Sequence, residues 1–219
     1  MTEVGMRRST QRLIVFARLP QLGRVKTRLA NALGAHSALQ IHTQLLNGAL
    51  DLAQRLPDAQ RELRYAGEAT EQDSEAARLL KHLRQSDWKT EPQCGSDLGE
   101  RMHHALIQAL RAGQTPVLIG SDCPVFTPED LADAFLALRS ADAVFAPAHD
   151  GGYALVGLSR EAPELFEQID WGTQNVMSQT LARAQSLGLR VKLLRTVWDV
   201  DTPADVLRWQ ALRTESPGQ

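Results

Sequence analysis

The chain has little of several features that would place it in a special class of protein. Its 219 residues include two cysteines, Cys94 and Cys123, which are too few for a disulfide framework and favour a reducing compartment. Its 24 basic and 26 acidic residues nearly balance, so the overall charge does not predict nucleic-acid binding. No apolar run approaches the roughly 20 residues of a membrane-spanning helix, and the start has no signal-peptide pattern. We therefore expect a cytoplasmic globular protein with neither a nucleic-acid nor a membrane partner.

What the sequence does contain is an alternation of short apolar runs and helical patterns. Apolar runs predict strands at residues 13–17, 62–66, 116–120, 143–146, 153–157 and 191–194, the second being the weakest. Apolar residues recurring every three or four positions predict helices at 27–33, 35–56 and 75–83. Capping patterns predict four further helices, which begin after Asp97, Thr127, Thr173 and Thr202.

This alternation predicts an α/β fold of three layers, α/β/α, in which a mostly parallel mixed sheet is covered on both faces. The length suits one domain, which we place at residues 11–213, with flexible termini at 1–10 and 214–219. Ligands of such sheets bind beyond the carboxyl ends of the strands, so the loops at that edge are where chemistry is expected.

The loop after the first predicted strand is rich in cations. Arg18, Arg24, Lys26 and Arg28 lie around Gly23, which permits close backbone approach. At a strand-to-helix turn these groups would suit a polyphosphate, because the helix start adds backbone donors. The alternative is a solvated basic helix start. A P-loop is excluded, because Val25 stands where that motif has the glycine before its lysine.

Acidic residues follow two other predicted strands. Asp122 comes directly after the strand at 116–120, and Asp199 and Asp201 follow the last strand. Metals that bridge phosphates take one or two carboxylates plus substrate oxygens. Asp122 and Asp201 would supply the carboxylates to Mg²⁺ or Mn²⁺. Two such carboxylates in an empty site are expected to be close together and unpaired. For Asp122 alone, a simple turn or local cap explains the residue equally well.

Two glycine-bearing loops leave their role open. Asp150, Gly151 and Gly152 suit hydrogen bonding to the hydroxyls of a sugar or acceptor, or a plain hairpin turn. Gln93 and Gly95 precede a helix start whose amides would meet a base or phosphate, or would only be capped.

Six ordered motifs together resemble a known family. They are FARLPQLGRVKTRL, QCGSDLGERM, GSDCP, APAHDGGYALVGL, IDWGTQNV and DVDTPADV. The match runs from about residue 13 to 207 and is to a bacterial family of small transferase-like proteins, described both as a domain of unknown function and as glycosyltransferases of the arsenosugar-biosynthesis type. That family looks like the GT-A, or nucleotide-diphospho-sugar transferase, fold. Its KTRL segment also resembles the lysine-bearing loop of phospholactate guanylyltransferases.

The resemblance implies residues and partners. In sugar cytidylyltransferases of this fold, aspartates at positions matching Asp122 and Asp201 hold magnesium, and a loop matching Gln93 touches the base. The expected partners are a nucleotide or nucleotide sugar and a small acceptor. Three functions remain open: glycosyl transfer from a nucleotide sugar, which we place first; nucleotidyl transfer onto a phosphorylated small molecule; and nucleotide binding without catalysis.

Overall fold

The sheet is the centre of the molecule. The computed structural model describes residues 10–69 and 74–215, and within these it has seven strands. They are β1 (Thr10–Arg18), β2 (Ala59–Ala66), β3 (Trp88–Pro92), β4 (Gln114–Gly120), β5 (Ala143–Pro147), β6 (Tyr153–Leu158) and β7 (Val191–Leu193). Their order is β3-β2-β1-β4-β6-β5-β7, and β6 is antiparallel to both its neighbours while the other pairs are parallel.

Helices cover both faces of this sheet. They are α1 (Thr27–Leu33), α2 (Ala35–Gln54), α3 (Ser74–Gln85), α4 (Leu98–Arg111), α5 (Pro128–Ala137), α6 (Val176–Ser186) and α7 (Pro203–Glu215), with a short 3₁₀ helix at Pro163–Phe166. Successive residues of β1 point to opposite faces. Leu13 and Val15 pack with α2, α3 and α5, whereas Ile14 and Phe16 pack with α4 and α6. The predicted three-layer α/β/α fold is therefore confirmed.

Two of the predicted caps form completely, and both position the site. Thr127 accepts a hydrogen bond from the Asp130 amide, and the Asp130 carboxylate accepts one from the Thr127 amide. Thr202 and Asp205 make the same reciprocal pair at the start of α7. Because a capping box joins the last residue of the loop to the first turn of the helix by two reciprocal hydrogen bonds, each box holds the end of the loop before it.

Of the other two predicted caps, the one at Asp97 forms in part and the one at Thr173 does not form. Asp97 accepts from the Glu100 amide, but the Glu100 carboxylate accepts from Ser96, so that capping box is incomplete. Thr173 does not cap α6, whose N-cap is Asn175. Strand β3 has no counterpart among the predicted strands.

The first and last described elements run slightly past the predicted domain limits. Thr10 already belongs to β1, and α7 continues to Glu215, so ordered elements extend past both predicted ends. The rest of the predicted flexible termini, 1–9 and 216–219, lies outside the described residues. Within the described part of the chain, no helix is long and apolar enough to cross a membrane.

Candidate functional site

Three loops meet at the carboxyl edge of the sheet. They follow β1, β4 and β7, and the amide of Val200 in the last loop donates a hydrogen bond of 3.0 Å to the carbonyl of Asp122 in the second. This bond places Asp122 beside Asp201, although the two residues are 79 positions apart in the sequence and would be far apart in an extended chain. The structure therefore brings together the two carboxylates that the sequence singled out.

Lys26 lies between these carboxylates. Its Nζ is 2.8 Å from Asp122 Oδ2 and 2.9 Å from Asp201 Oδ1, and it donates to the Val200 carbonyl at 2.6 Å. Only 5% of the Lys26 side chain is exposed. The residue precedes α1 in a left-handed conformation, with φ of 46°, which an L-residue other than glycine adopts at a cost of about 1 kcal/mol. The backbone at Lys26 is thus held in an unfavourable conformation while its ammonium contacts three oxygens.

This ion pairing corrects one expectation. The two carboxylates were expected to be unpaired in an empty site, but they share the Lys26 ammonium. Burial by itself would lower the pKa of Lys26, yet the negative charges of Asp122 and Asp201 outweigh it and raise that pKa. Lys26 is therefore a permanent cation at neutral pH.

The same carboxylates are also accessible from solvent to a divalent cation. Lys26 uses one oxygen of each, and the side chains of Asp122 and Asp201 remain 39% and 45% exposed. Among the residues that the structure describes, no group of three His, Cys, Asp or Glu side chains is placed to hold a metal. A cation here would take two protein oxygens and complete its shell with phosphate and water, which is how Mg²⁺ is commonly held beside nucleotides.

Asp199 is a member of the site that the sequence did not single out. Burial, followed by the negative charges of Asp122, Asp150 and Asp201, raises the pKa of Asp199 to about 7. Its neighbours Trp198 and Val200 are both buried. The signal available in the sequence is an acid between two apolar residues in a loop at the carboxyl edge of the sheet.

His42 is a second residue whose role the sequence did not show. It lies on α2 and is buried, and its Nε2 is 3.0 Å from the carbonyl of Arg18 at the end of β1. Burial is the main cause that lowers the pKa of His42, so the ring is neutral and donates through Nε2 to that carbonyl. His42 therefore anchors the start of the basic loop.

The remaining cations of the basic loop are not drawn into the acidic pair. Arg18, Arg24 and Arg28 are exposed, and Gly23 has a φ of 73° that glycine tolerates best. Their expected contact with phosphate stays a prediction.

Gln93 has a structural role in addition to any contact with ligand. Its Nε2 donates to the carbonyls of Ala17 and Arg64 at 3.2 and 3.1 Å, so it ties the ends of β1 and β2 to β3. Gly95 has a φ of 138°, and a Cβ there would lie 2.8 Å from the Arg101 amide nitrogen. The predicted base contact of this loop is untested.

The loop of Asp150, Gly151 and Gly152 forms the hairpin turn between β5 and β6, and Asp150 Oδ1 accepts from the Gly152 amide at 2.9 Å. A Cβ at Gly151 would lie 2.2 Å from the Gln174 carbonyl oxygen, so the hairpin packs directly on the segment before α6. The charge of Asp150 also acts on Asp199, which locates the hairpin beside the acidic residues. Its expected contact with sugar or acceptor remains a prediction.

The chain resembles one family over more than half its length. The model of a family described as "Uncharacterized protein conserved in bacteria (DUF2064)" matches residues 49–173. No curated protein matches the chain.

Solved structures share its fold. A "putative nucleotide-diphospho-sugar transferase" from Desulfovibrio desulfuricans G20 is 32% identical, with a TM-score of 0.80 over 89% of this chain and 83% of that one. CMP:2-keto-3-deoxy-manno-octonic acid synthetase, in complex with CTP, is 11% identical, with a TM-score of 0.60 over 94% of this chain and 99% of that one. Rv0371C of Mycobacterium tuberculosis H37Rv, in complex with manganese, is 20% identical, with a TM-score of 0.53 over 91% of this chain and 97% of that one. The last two likenesses concern the fold alone.

Proposed function

The chain belongs to the bacterial family DUF2064, and we propose that it transfers a group from a nucleotide-activated donor to a small acceptor with the help of a divalent cation. The proposed class agrees with the name of the 32% identical relative, which is described as a nucleotide-diphospho-sugar transferase. The donor, the cation and the residue roles given below are our proposal.

One observation carries this proposal. Asp122 and Asp201 come from loops far apart in sequence and meet around one cation, the Lys26 ammonium, at the carboxyl edge of the sheet. Carboxylates grouped at that edge suit the binding of a phosphate-bound metal better than they suit a structural role, because each is more than a third exposed.

Each group has a distinct task in this scheme. Asp122 and Asp201 would hold Mg²⁺ or Mn²⁺, which supplies charge neutralisation at the phosphates of the donor. Arg24 and Arg28 would bind those phosphates from the opposite loop through charge-assisted hydrogen bonds. Gln93 and Gly95 lie at the end of β3 and would border the base, while the hairpin at Asp150 would orient the acceptor.

We place glycosyl transfer from a nucleotide sugar first, because the most similar relative described above is named for sugar transfer. Nucleotidyl transfer onto a phosphorylated acceptor is the second candidate. It is favoured by the basic loop, whose Arg18, Arg24 and Arg28 offer three positive charges to the phosphates of a nucleoside triphosphate. The two reactions release different products: a nucleoside diphosphate in the first and pyrophosphate in the second.

The test measures both products. The purified protein is incubated with Mg²⁺ or Mn²⁺, panels of nucleotide sugars or nucleoside triphosphates, and small acceptors that are either free or phosphorylated. We expect acceptor-dependent release of one product only. Asp122→Asn and Asp201→Asn should each reduce this turnover at least a hundredfold, as removal of an electrostatic catalytic group commonly does, with unchanged circular dichroism. Asp51→Asn, an exposed change on α2, is the matched control. If nucleotides bind and no acceptor yields turnover, a non-catalytic nucleotide-binding module is the better description.

A further inference from the structure

The acidic pair already holds a cation of the protein's own. Lys26 Nζ contacts one carboxylate oxygen of Asp122 and one of Asp201 at 2.8 and 2.9 Å, and a third contact to the Val200 carbonyl fixes its position. With 5% of the side chain exposed, this ammonium is a buried component of the site, in contrast to a mobile surface lysine.

A second cation cannot share this arrangement without strong repulsion. A magnesium or manganese ion bonds carboxylate oxygens at about 2.1 Å. An ion bound to the oxygens that Lys26 uses would therefore be only about 4–5 Å from the ammonium, where like charges repel appreciably even under protein screening. Occupancy by the ion and occupancy by Lys26 exclude each other at those oxygens.

We propose that Asp122 and Asp201 form an exchange site, in which Lys26 is the resident counter-ion and a divalent cation is bound tightly only after the ammonium has left. This inference rests on the metal site of the proposed function and adds the order of events. The free protein binds the ion weakly, because the ion must displace a paired lysine.

In this scheme the phosphates of the incoming nucleotide offer the Lys26 ammonium an alternative to the two carboxylates. Two carboxylates and one ammonium carry a net charge of −1, whereas two carboxylates and a divalent ion are neutral. Once the ion neutralises both carboxylates, the ammonium can pair with a different anion. Lys26 precedes α1 in the basic loop, so the phosphates predicted to bind that loop lie within reach of its four-carbon side chain. Its left-handed backbone conformation, which is unfavourable, is relieved if the loop rearranges at the same time.

The experiment measures the binding of Mn²⁺ alone, without nucleotide, at pH 8 by electron paramagnetic resonance of the free ion. Lys26→Met keeps the apolar stem and removes the charge, and we expect it to bind Mn²⁺ roughly tenfold or more tightly than the wild type. Lys89→Met is the matched control, because Lys89 also contacts two carboxylates, those of Glu62 and Glu91; it should leave Mn²⁺ affinity unchanged. Lys26→Gln serves as a second variant if Lys26→Met does not give a native circular-dichroism spectrum.

The outcomes separate this inference from the transferase proposal. Adding Asp122→Asn to Lys26→Met should return Mn²⁺ affinity to the wild-type level or below, which assigns the ion to this pair. Equal Mn²⁺ affinity in the wild type and both Lys26 variants overturns the exchange, even if metal-dependent turnover is observed. Tighter binding in the Lys26 variants supports it even if no acceptor yields turnover.

Discussion

At the scale of single residues, Asp199 connects the site to the stability of the protein. Burial and three neighbouring carboxylates raise its pKa to about 7, whereas in an unfolded chain it titrates near 3.9. Between about pH 4 and 7 the native state binds one more proton than the unfolded state, so the free energy of unfolding falls as the pH rises through this range.

Asp199→Asn removes this proton uptake. Between pH 5 and 7 we expect the free energy of unfolding of the wild type to fall, relative to that of the variant, by about 1 kcal/mol for each pH unit. Above pH 7 the difference between the two proteins should stay constant. Urea unfolding at pH 5, 6, 7 and 8 with a chelator present measures it. Asp51→Asn is the control, and parallel curves for Asp199→Asn and the wild type from pH 5 to 8 would contradict the assigned shift.

The sequence predicts single residues of the site only where local patterns report them. Asp122 and Asp201 stood out because each follows a strand and precedes a Thr-Pro helix start. The partner of Lys26 was not predictable, because a lysine at a helix start looks like a phosphate ligand and Asp201 is 175 positions away. Nor does the sequence show which of two acids separated by one residue is buried, so it does not distinguish the role of Asp199 from that of Asp201.

At the scale of elements, close packing between α4 and the loop before α6 depends on a missing side chain. A Cβ at Gly99 would lie 2.6 Å from the ring of Trp171 and 2.8 Å from the Phe166 carbonyl oxygen. We expect Gly99→Ala to reduce the free energy of unfolding by about 1–3 kcal/mol, the usual cost of overpacking.

Gly48→Ala is the matched control for this change. Gly48 lies within α2, is exposed, and a Cβ there meets nothing within 4 Å. The same substitution should therefore raise the free energy of unfolding by about 0.5–1 kcal/mol, through the helix propensity of alanine. Chemical denaturation of both variants tests the pair, and a neutral or stabilising Gly99→Ala would show that Trp171 moves aside easily.

Strands are predictable from the sequence where their buried side chains are apolar on both faces, and are not where the buried side chains include charged ones. Strands β1 and β4 read as continuous apolar runs. Strand β2 gave a weak signal because Glu62 and Arg64, both nearly inaccessible, are buried as ion-paired charges. The edge strand β3 was missed since its sequence, WKTEP, has one buried apolar residue, Trp88, among polar ones.

At the scale of the whole molecule, ligand and metal should stabilise the fold together. A ligand at a hundred times its dissociation constant adds about 2.7 kcal/mol to the free energy of unfolding, which for a chain of this size raises Tm by roughly 5–10 °C. We expect a matching nucleotide with Mg²⁺ or Mn²⁺ to produce such a shift, and either one alone to produce less. A thermal-shift screen tests this; equal shifts with and without metal would count against a shared site.

The fold itself was the most predictable level. Alternation of strands and helices set the three layers, and turn and cap residues set most boundaries. The antiparallel placement of β6 between β4 and β5 was not specified by periodicity, because apolar runs report burial and carry no information about strand direction.

The hydrogen bond between Val200 and Asp122 joins loops that are synthesised at different times. Strands β1 and β2 are adjacent and parallel and can pair on a ribosome while the rest is still being made. Lys26 and Asp122 can pair once β4 has been made, but Asp201 joins them only after the chain up to the start of α7 has been synthesised. Until Asp201 has been made, the Lys26 ammonium therefore has only one of its two carboxylate partners.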